Sequence, residues 1–156
     1  MHQITRRSLL AGGASLGVLA PQLSLAQTAP AIHVLMDPNC GCCDAWVRIL
    51  QVEGFEVTTE TRFGTLLIRH KLDNGIPQAM ISCHTGEVDG YFIEGHVPPA
   101  DIRRLLSERP DAVGLAVPGM PHGSPGMGPA ENREAYGVFL IRRDGSTEIF
   151  ARYEAA

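Results

Sequence analysis

The residues with the most evident chemistry are three cysteines within four positions, Cys40, Cys42 and Cys43. Cys40 and Cys43 form a Cys-x-x-Cys pair, and Cys42 adds a third thiol between them. Neighbouring soft thiolates favour Cu(I), Zn(II) or an iron–sulfur cluster. Two alternatives stay open, namely dithiol redox chemistry and a structural disulfide, although a bridge between Cys40 and Cys43 would constrain little of the unfolded chain. We favour metal binding.

The fourth cysteine, Cys83, lies well beyond this cluster and is followed directly by His84. Cys83 could complete a four-sulfur site, or it could be an ordinary buried cysteine, because free cysteine is among the most buried residue types. Successive residues of a strand point to opposite faces. Cys83 and His84 would therefore share one site only where the strand is irregular. His84 is either a ligand or a hydrogen-bonded structural histidine.

Glu94 and His96 stand two residues apart at the end of a predicted strand, so we expect their side chains to share a face. His96 could be a nitrogen ligand that the Glu94 carboxylate orients, as is common around protein-bound metals. A structural histidine in the loop before Pro98 is the alternative.

A segment made mostly of proline and glycine, 118–129, carries Met120, His122 and Met127. We expect no packed element from this composition. Methionines on a polar loop have no core to fill, and thioethers are soft ligands that suit copper. Met120 and Met127 are therefore predicted to be ligands or part of a lid over the site, whereas His122 is a weaker candidate.

The elements that must position these residues are predicted from hydrophobic periodicity and turn residues. The predicted strands are Ile32–Met36, Phe55–Thr61, Ala79–Thr85 and Tyr91–Gly95; the helices are Asp44–Glu53, Thr65–Leu72 and one opening at Pro98; a hairpin pairs Tyr136–Ile141 with Thr147–Tyr153. The first helix is predicted to bury Trp46, Val47, Ile49, Leu50 and Val52. The order β-α-β-α-β-β-α, with the cysteines after the first strand, predicts an α/β, thioredoxin-like single domain with an added C-terminal hairpin. Helix N-termini also favour thiolate anions.

Residues 1–26 are predicted to be a twin-arginine signal peptide, with Arg6-Arg7, an apolar run and Ser24-Leu25-Ala26 at the cleavage site. An uncleaved membrane anchor is the alternative. The predicted domain is residues 27–156, placed in the oxidising bacterial periplasm with no membrane contact after cleavage. The whole chain has a net charge of −4 and no basic run, so nucleic acid is a poor candidate partner.

At these residues the chain resembles a known family, the small exported proteins called CopG or CusG. The matching stretches are Cys40-Gly41-Cys42-Cys43 with Trp46, Ser82-Cys83-His84-Thr85, Asp89-Gly90-Tyr91, Glu94-Gly95-His96-Val97-Pro98, Arg109-Pro110, 114–121 and Gly123-Ser124-Pro125-Gly126-Met127. The resemblance implies a thioredoxin-like fold and a copper site on the four cysteines able to hold more than one ion. It also implies a role in copper tolerance, through copper redox change or transfer to periplasmic efflux or chaperone proteins. Gly86 departs from the pattern, where a small apolar residue is expected.

We therefore predict a periplasmic protein that holds Cu(I) on Cys40, Cys42, Cys43 and Cys83, with His84, His96, Met120 and Met127 as further candidate ligands. Whether it also turns over as a copper oxidoreductase stays open. A thiol–disulfide oxidoreductase, with Cys40 attacking and Cys43 resolving, is the alternative. A structural zinc domain ranks third.

Overall fold

The computed structural model describes residues 29–156, which form one seven-stranded mixed sheet and three α-helices. The strands are β1 (Ala31–Met36), β2 (Glu56–Thr61), β3 (His84–Val88), β4 (Tyr91–Glu94), β5 (Gly114–Ala116), β6 (Tyr136–Ile141) and β7 (Thr147–Tyr153). The helices are α1 (Gly41–Val52), α2 (Gly64–Asp73) and α3 (Pro99–Glu108), with 3-10 turns at Gln78–Met80 and Ala130–Asn132. No helix among the described residues is long and apolar enough to cross a membrane. The predicted signal peptide lies outside them.

The strands are ordered β2-β1-β3-β4-β5-β6-β7 across the sheet. β1 is parallel to β2 and antiparallel to β3, and β3 is antiparallel to β4. This arrangement confirms the predicted single α/β domain with its added hairpin, and the element order up to α3 is the predicted one. β5 was not predicted, because three residues are too few for a periodic pattern.

The pairing of β1 with β3 explains how distant cysteines meet. Met36, the last residue of β1, is paired with His84, the first residue of β3. The chain leaves β1 into the cysteine turn and enters β3 from Cys83. The two cysteine-bearing segments therefore lie side by side at one edge of the sheet.

The main core lies between the sheet and helices α1 and α3. From the helices it includes Trp46, Val47, Leu50, Ile102 and Leu105, and from the strands Ile32, Val34, Val88, Tyr91, Ile93, Leu115, Val138 and Leu140. A smaller cluster centres on Ile76, Ala116 and Ile141. Since neighbouring strand residues alternate between faces, this second cluster lies on the opposite side of the sheet.

Two expectations about local structure were wrong. Val52 is 87% exposed, because it lies about 200° around the helix from the buried Leu50. The predicted strand Ala79–Thr85 begins only at His84 and is preceded by the 3-10 turn and a bend. The backbone groups of Ser82 bond to two buried charged side chains, Lys71 and Glu94, rather than to a neighbouring strand.

Candidate metal site

The cysteine turn is built by local backbone hydrogen bonds at the start of α1. The Cys40 amide donates to Asp37 O at 3.1 Å, and the Cys43 amide donates to Cys40 O at 3.1 Å. The Asp37 carboxylate also accepts the Asn39 amide at 2.9 Å. Cys42 and Cys43 fall in the first turn of α1, where unpaired amides and the helix dipole favour negative charge on sulfur.

The structure brings all four sulfurs together. Cys40 and Cys43 form a disulfide with an S–S distance of 2.10 Å. The Cys42 Sγ lies 3.3 Å from that of Cys40 and 3.8 Å from that of Cys83. The four sulfurs lie within 4.8 Å of one another and could hold a metal ion once the disulfide is reduced. Cys43 is buried, whereas the other three are partly exposed at the edge of the sheet.

Cys83 also joins a second group of potential ligands. Its Sγ is 3.2 Å from His84 Nδ1 and 3.2 Å from His96 Nε2. Cys83 escapes the strand alternation because it lies in the bend before β3. The Cys83 sulfur and His84 Nδ1 are therefore close enough to belong to one site. One sulfur belongs to both the four-sulfur group and the sulfur–imidazole group.

The hydrogen bonds assign protons around Cys83. Burial, followed by the neighbouring Cys42 thiol, raises the pKa of Cys83 to about 12, so this thiol is protonated unless a metal ion displaces the proton. His96 Nδ1 donates to Pro125 O at 2.8 Å, which leaves Nε2 as the acceptor facing Cys83. His84 Nδ1 then donates to the Cys83 sulfur, and its Nε2, which carries the lone pair, has no hydrogen-bond partner among residues 29–156.

Burial lowers the pKa of both histidines below the ordinary value, so both are neutral. A soft cation that displaces the Cys83 proton would meet the free Nε2 of His96 directly. His84 would need the opposite tautomer to ligate through Nδ1. The geometry therefore favours His96 as the nitrogen ligand and His84 as a donor to the Cys83 sulfur.

Glu94 does not orient His96, contrary to the sequence-based interpretation. Its Oε1 accepts hydrogen bonds from Lys71 Nζ at 2.7 Å and from the Ser82 amide at 2.6 Å. The partner of His96 Nδ1 is the backbone carbonyl of Pro125 in the Pro/Gly loop. Burial raises the pKa of Glu94, and the Lys71 ammonium acts against that shift.

The Pro/Gly loop, residues 118–129, is ordered by its own turns and packs on the site. The Gly123 amide donates to Met127 O, the Met127 amide donates to Ser124 O, and Ser124 is fully buried. Gly126 lies so close to α1 that a Cβ would come within 2.8 Å of Trp46 N and 3.1 Å of Cys42 O. The loop contains no helix or strand, as expected, yet it packs closely against the start of α1 and covers the cysteine turn.

The two methionines of this loop differ in exposure. Met120 is 55% exposed and follows Gly119, whose carbonyl accepts the Ser82 hydroxyl. Met127 is partly buried, two residues from the Pro125 carbonyl that binds His96. Their roles as ligands or lid stay predictions. His122 is exposed and lies outside both potential metal groups.

Trp46 supports the site from the core. Its Nε1 donates to Val97 O at 2.9 Å, and its ring lies 4.3 Å from the His84 ring. The fully buried indole thus fixes both the His84 plane and the backbone after His96. Sequence reasoning placed Trp46 only in the core of α1, because its contact with His84 depends on how α1 packs on the sheet. Lys71 and Pro125 were missed for the same reason.

The chain is similar to one family model and to two solved structures. A family model described as "Protein of unknown function, DUF411" matches residues 80–127. No curated protein matches the chain. Two solved structures, described as copper resistance protein CopG in form 1 and form 2, are each 47% identical to it with a TM-score of 0.75. Each match covers 80% of this chain and 98% of the other.

Proposed function

Because the chain belongs to the CopG family of copper resistance proteins, we propose that it binds Cu(I) as part of copper tolerance in the periplasm. The observation that carries the proposal is the convergence of four sulfurs within 4.8 Å of one another at one edge of the sheet. Thiolate and imidazole ligands suit Cu(I), which prefers soft donors. The ligand set is Cys40, Cys42, Cys43 and Cys83, with His96 as the nitrogen donor and Met120 and Met127 in the covering loop.

The shared position of Cys83 supports binding of more than one copper ion. Its sulfur belongs to the four-sulfur group and also lies 3.2 Å from His96 Nε2. A thiolate has several lone pairs and can bridge two metal ions. One ion on the cysteine turn and another beside His96 would both use the Cys83 sulfur.

The Cys40–Cys43 disulfide makes copper redox chemistry part of the proposal. Two thiols at Cys40 and Cys43 can reduce two Cu(II) ions to Cu(I). Each thiol gives up one electron and one proton as the S–S bond forms. Cys42, Cys83 and His96 remain to hold Cu(I), and exchange with an external dithiol restores Cys40 and Cys43. Transfer of the ion to an efflux or chaperone protein would follow from the partly exposed edge of the site.

Cu(I) titration of the reduced protein without oxygen tests the binding proposal. A chromophoric Cu(I) chelator as competitor gives the ratio of copper to protein. Cys42→Ser should lower that ratio, because it removes the sulfur that lies 3.3 Å from the Cys40 sulfur and 3.8 Å from the Cys83 sulfur. Ser107→Ala, an exposed change on α3, is the matched control and should keep the full ratio. Failure of the reduced wild-type chain to take up Cu(I) would overturn the proposed function.

Mixing the reduced protein with Cu(II) under argon tests the redox step. Loss of the Cu(II) electron paramagnetic signal should accompany the loss of one thiol per ion reduced, with the new disulfide between Cys40 and Cys43. Cys43→Ser should abolish this stoichiometry. Reduction of Cu(II) at an unchanged rate in that variant would show that another group supplies the electrons.

Export by the twin-arginine route is also part of the proposal. Its support is the Arg6-Arg7 pair, the apolar run after it and the Ser24-Leu25-Ala26 cleavage site. Mass spectrometry of periplasmic protein should find a chain beginning at Gln27. Replacing both arginines with lysine should retain the precursor in the cytoplasm, and normal export of that variant would contradict the assignment.

A second candidate function is thiol–disulfide exchange, which the observed bond between Cys40 and Cys43 favours. In that case Cys40, which is more exposed than Cys43, attacks the substrate disulfide and Cys43 resolves the mixed disulfide. The candidate predicts reduction of insulin by the reduced protein, and activity that survives Cys42→Ser. Copper binding without insulin reduction would contradict this second candidate and leave copper binding as the proposed function.

A further inference from the structure

The candidate metal site is connected to α2 by a buried ion pair that the copper chemistry does not itself use. Lys71 is 1% exposed and Glu94 is fully buried, and Lys71 Nζ lies 2.7 Å from Glu94 Oε1. Lysine and glutamate are almost never fully buried unless they are paired. Replacing such a pair with apolar residues is often neutral or stabilising, so stability alone explains it poorly.

Both charged groups of this pair bind the backbone of Ser82. Lys71 Nζ donates to Ser82 O at 2.7 Å, and Glu94 Oε1 accepts the Ser82 amide at 2.6 Å. The Ser82 hydroxyl donates to Gly119 O, at the start of the Pro/Gly loop. Every polar group of Ser82 is therefore held by a different segment of the chain.

Gly95 tightens the same arrangement. Its φ is +72°, and a Cβ there would come within 2.6 Å of both Ser82 Cβ and Val117 O. Ser82 thus packs directly against the backbone of Gly95, where a side chain would not fit. The next residue in the chain is Cys83, so a displacement of Ser82 would move Cys83 with it.

Cys83 lies in the bend before β3, where no strand pairing fixes it. Its sulfur must nevertheless stay within reach of Cys42 at 3.8 Å and His96 at 3.2 Å. We propose that Lys71 and Glu94 are positioning residues that hold Ser82 and thereby place the Cys83 sulfur between the cysteine turn and His96. This inference rests on the proposed copper function only for its effect on metal affinity. The contacts of Lys71 and Glu94 with the Ser82 backbone, which we call the clamp, do not depend on that function.

Two neutral double variants test the clamp without leaving a lone buried charge. Lys71→Met/Glu94→Gln keeps an acceptor for the Ser82 amide, whereas Lys71→Met/Glu94→Leu removes both anchors of Ser82. Loss of partners that orient a ligand typically weakens metal affinity by about 10- to 100-fold. We expect the Leu pair to lose Cu(I) affinity in that range and the Gln pair to lose less, at unchanged far-ultraviolet circular dichroism.

Each pair is then combined with Cys83→Ser. If Lys71 and Glu94 act through Cys83, the pairs cause no further loss of Cu(I) affinity in this background. An equal loss with and without Cys83 would overturn the proposal, as would wild-type affinity in the folded Leu pair. Should the Leu pair fail to fold, the Gln pair carries the same comparison through its lost Lys71 contact to Ser82 O.

A metal-free measurement separates this inference from the copper proposal. Amide hydrogen exchange of Ser82 should be protected in the wild type and in the Gln pair, and should become fast in the Leu pair. If the wild type takes up no Cu(I), the proposed function fails while this measurement still decides the clamp. Unchanged Ser82 protection in the Leu pair would overturn the clamp itself.

Discussion

The candidate metal site and the β6–β7 hairpin are held in place by different kinds of interaction. In the hairpin, backbone pairing runs from Tyr136 opposite Tyr153 to Ile141 opposite Thr147, with one irregularity near Val138. In the metal site, the residues with ligand chemistry lie in turns, at strand ends and in the first turn of α1, and buried side-chain contacts hold them in place. Many similar backbone hydrogen bonds stabilise the hairpin, so each contributes a small share. The geometry of the site depends on a few buried polar contacts.

The side chains differ in the same way. The hairpin exposes its charged pairs, such as Arg142 with Glu148, and stacks Tyr136 on Tyr153 at 4.8 Å. The site buries charged and polar groups, including Lys71, Glu94 and His84. A buried polar group is costly when its partner is lost, while an exposed one is rehydrated. Substitutions should therefore be severe at the site and mild in the hairpin.

The largest effect is expected from Lys71→Met alone. It leaves the Glu94 carboxylate buried without its cation, and breaking such a pair costs about 3–5 kcal/mol of unfolding free energy. Chemical denaturation measures the loss. Lys71→Met/Glu94→Gln is the control and should recover most of it, because no unpaired charge remains. A single variant as stable as the double would contradict this account.

A smaller loss is expected from Gly95→Ala. The left-handed backbone at φ +72° costs a non-glycine residue about 1–2 kcal/mol, and the added Cβ also clashes with Ser82 and Val117 O. Gly145→Ala in the hairpin turn has the same backbone strain, at φ +83°, but apart from its chain neighbours no atom of the described residues lies within 4 Å of the new Cβ. Urea unfolding should show the larger loss at Gly95, and only that variant should weaken Cu(I) binding.

A pH-dependent effect should appear where α3 meets the hairpin. Burial raises the pKa of Asp101, against the opposing effects of the Tyr153 hydroxyl bonded at 2.7 Å and of nearby Arg104. A carboxyl with a raised folded-state pKa stabilises the fold below its unfolded pKa, and that contribution is lost as the pH rises through the folded value. Asp101→Asn should therefore gain stability relative to wild type as the pH rises above about 4, the ordinary pKa of an aspartate carboxyl.

Thermal unfolding of both proteins across this range checks the sign, and the Cu(I) affinity of Asp101→Asn should match the wild type. A stability difference that shrinks on raising the pH would show that the Tyr153 bond outweighs burial.

The smallest effect is expected from Glu148→Ala. Glu148 lies 2.7 Å from Arg142, but both side chains are about half exposed. Such pairs contribute about 0.2–1 kcal/mol, and salt screens them. Denaturation at low and high salt should show a small loss that disappears at high salt, with unchanged Cu(I) binding. A loss comparable to that of Lys71→Met would erase the contrast between the two regions.

The hairpin also shows what local sequence is sufficient to predict. Its strands, Tyr136–Ile141 and Thr147–Tyr153, have the predicted bounds, because β-rich residues flank an Asp144-Gly145 turn. The Ser146 amide and hydroxyl bond to Asp144, so the turn is encoded within three residues. Helices α1 and α2 were likewise predicted to within a few residues of their ends, from apolar periodicity.

The region before Cys83 could not be predicted in this way. The apolar residues of Ala79–Ile81 favour a strand by composition, yet the backbone of Ser82 bonds to Lys71 on α2 and Glu94 on β4. The spacing of Glu94 and His96 predicted that the two side chains interact, but Glu94 instead pairs with Lys71 of α2. Both errors arise from partners that are distant in sequence.

The sequence by itself determined the donor chemistry of this protein: the four cysteines, the two histidines and the methionine-bearing loop were all identifiable from residue type and spacing. Tertiary structure alone decided which donors meet and how each is protonated. The pairing of Met36 with His84 brings Cys83 to the cysteine turn, and the Pro125 carbonyl selects the His96 tautomer. Residue type sets what an atom can bind, but long-range packing sets its distance and direction, on which coordination depends.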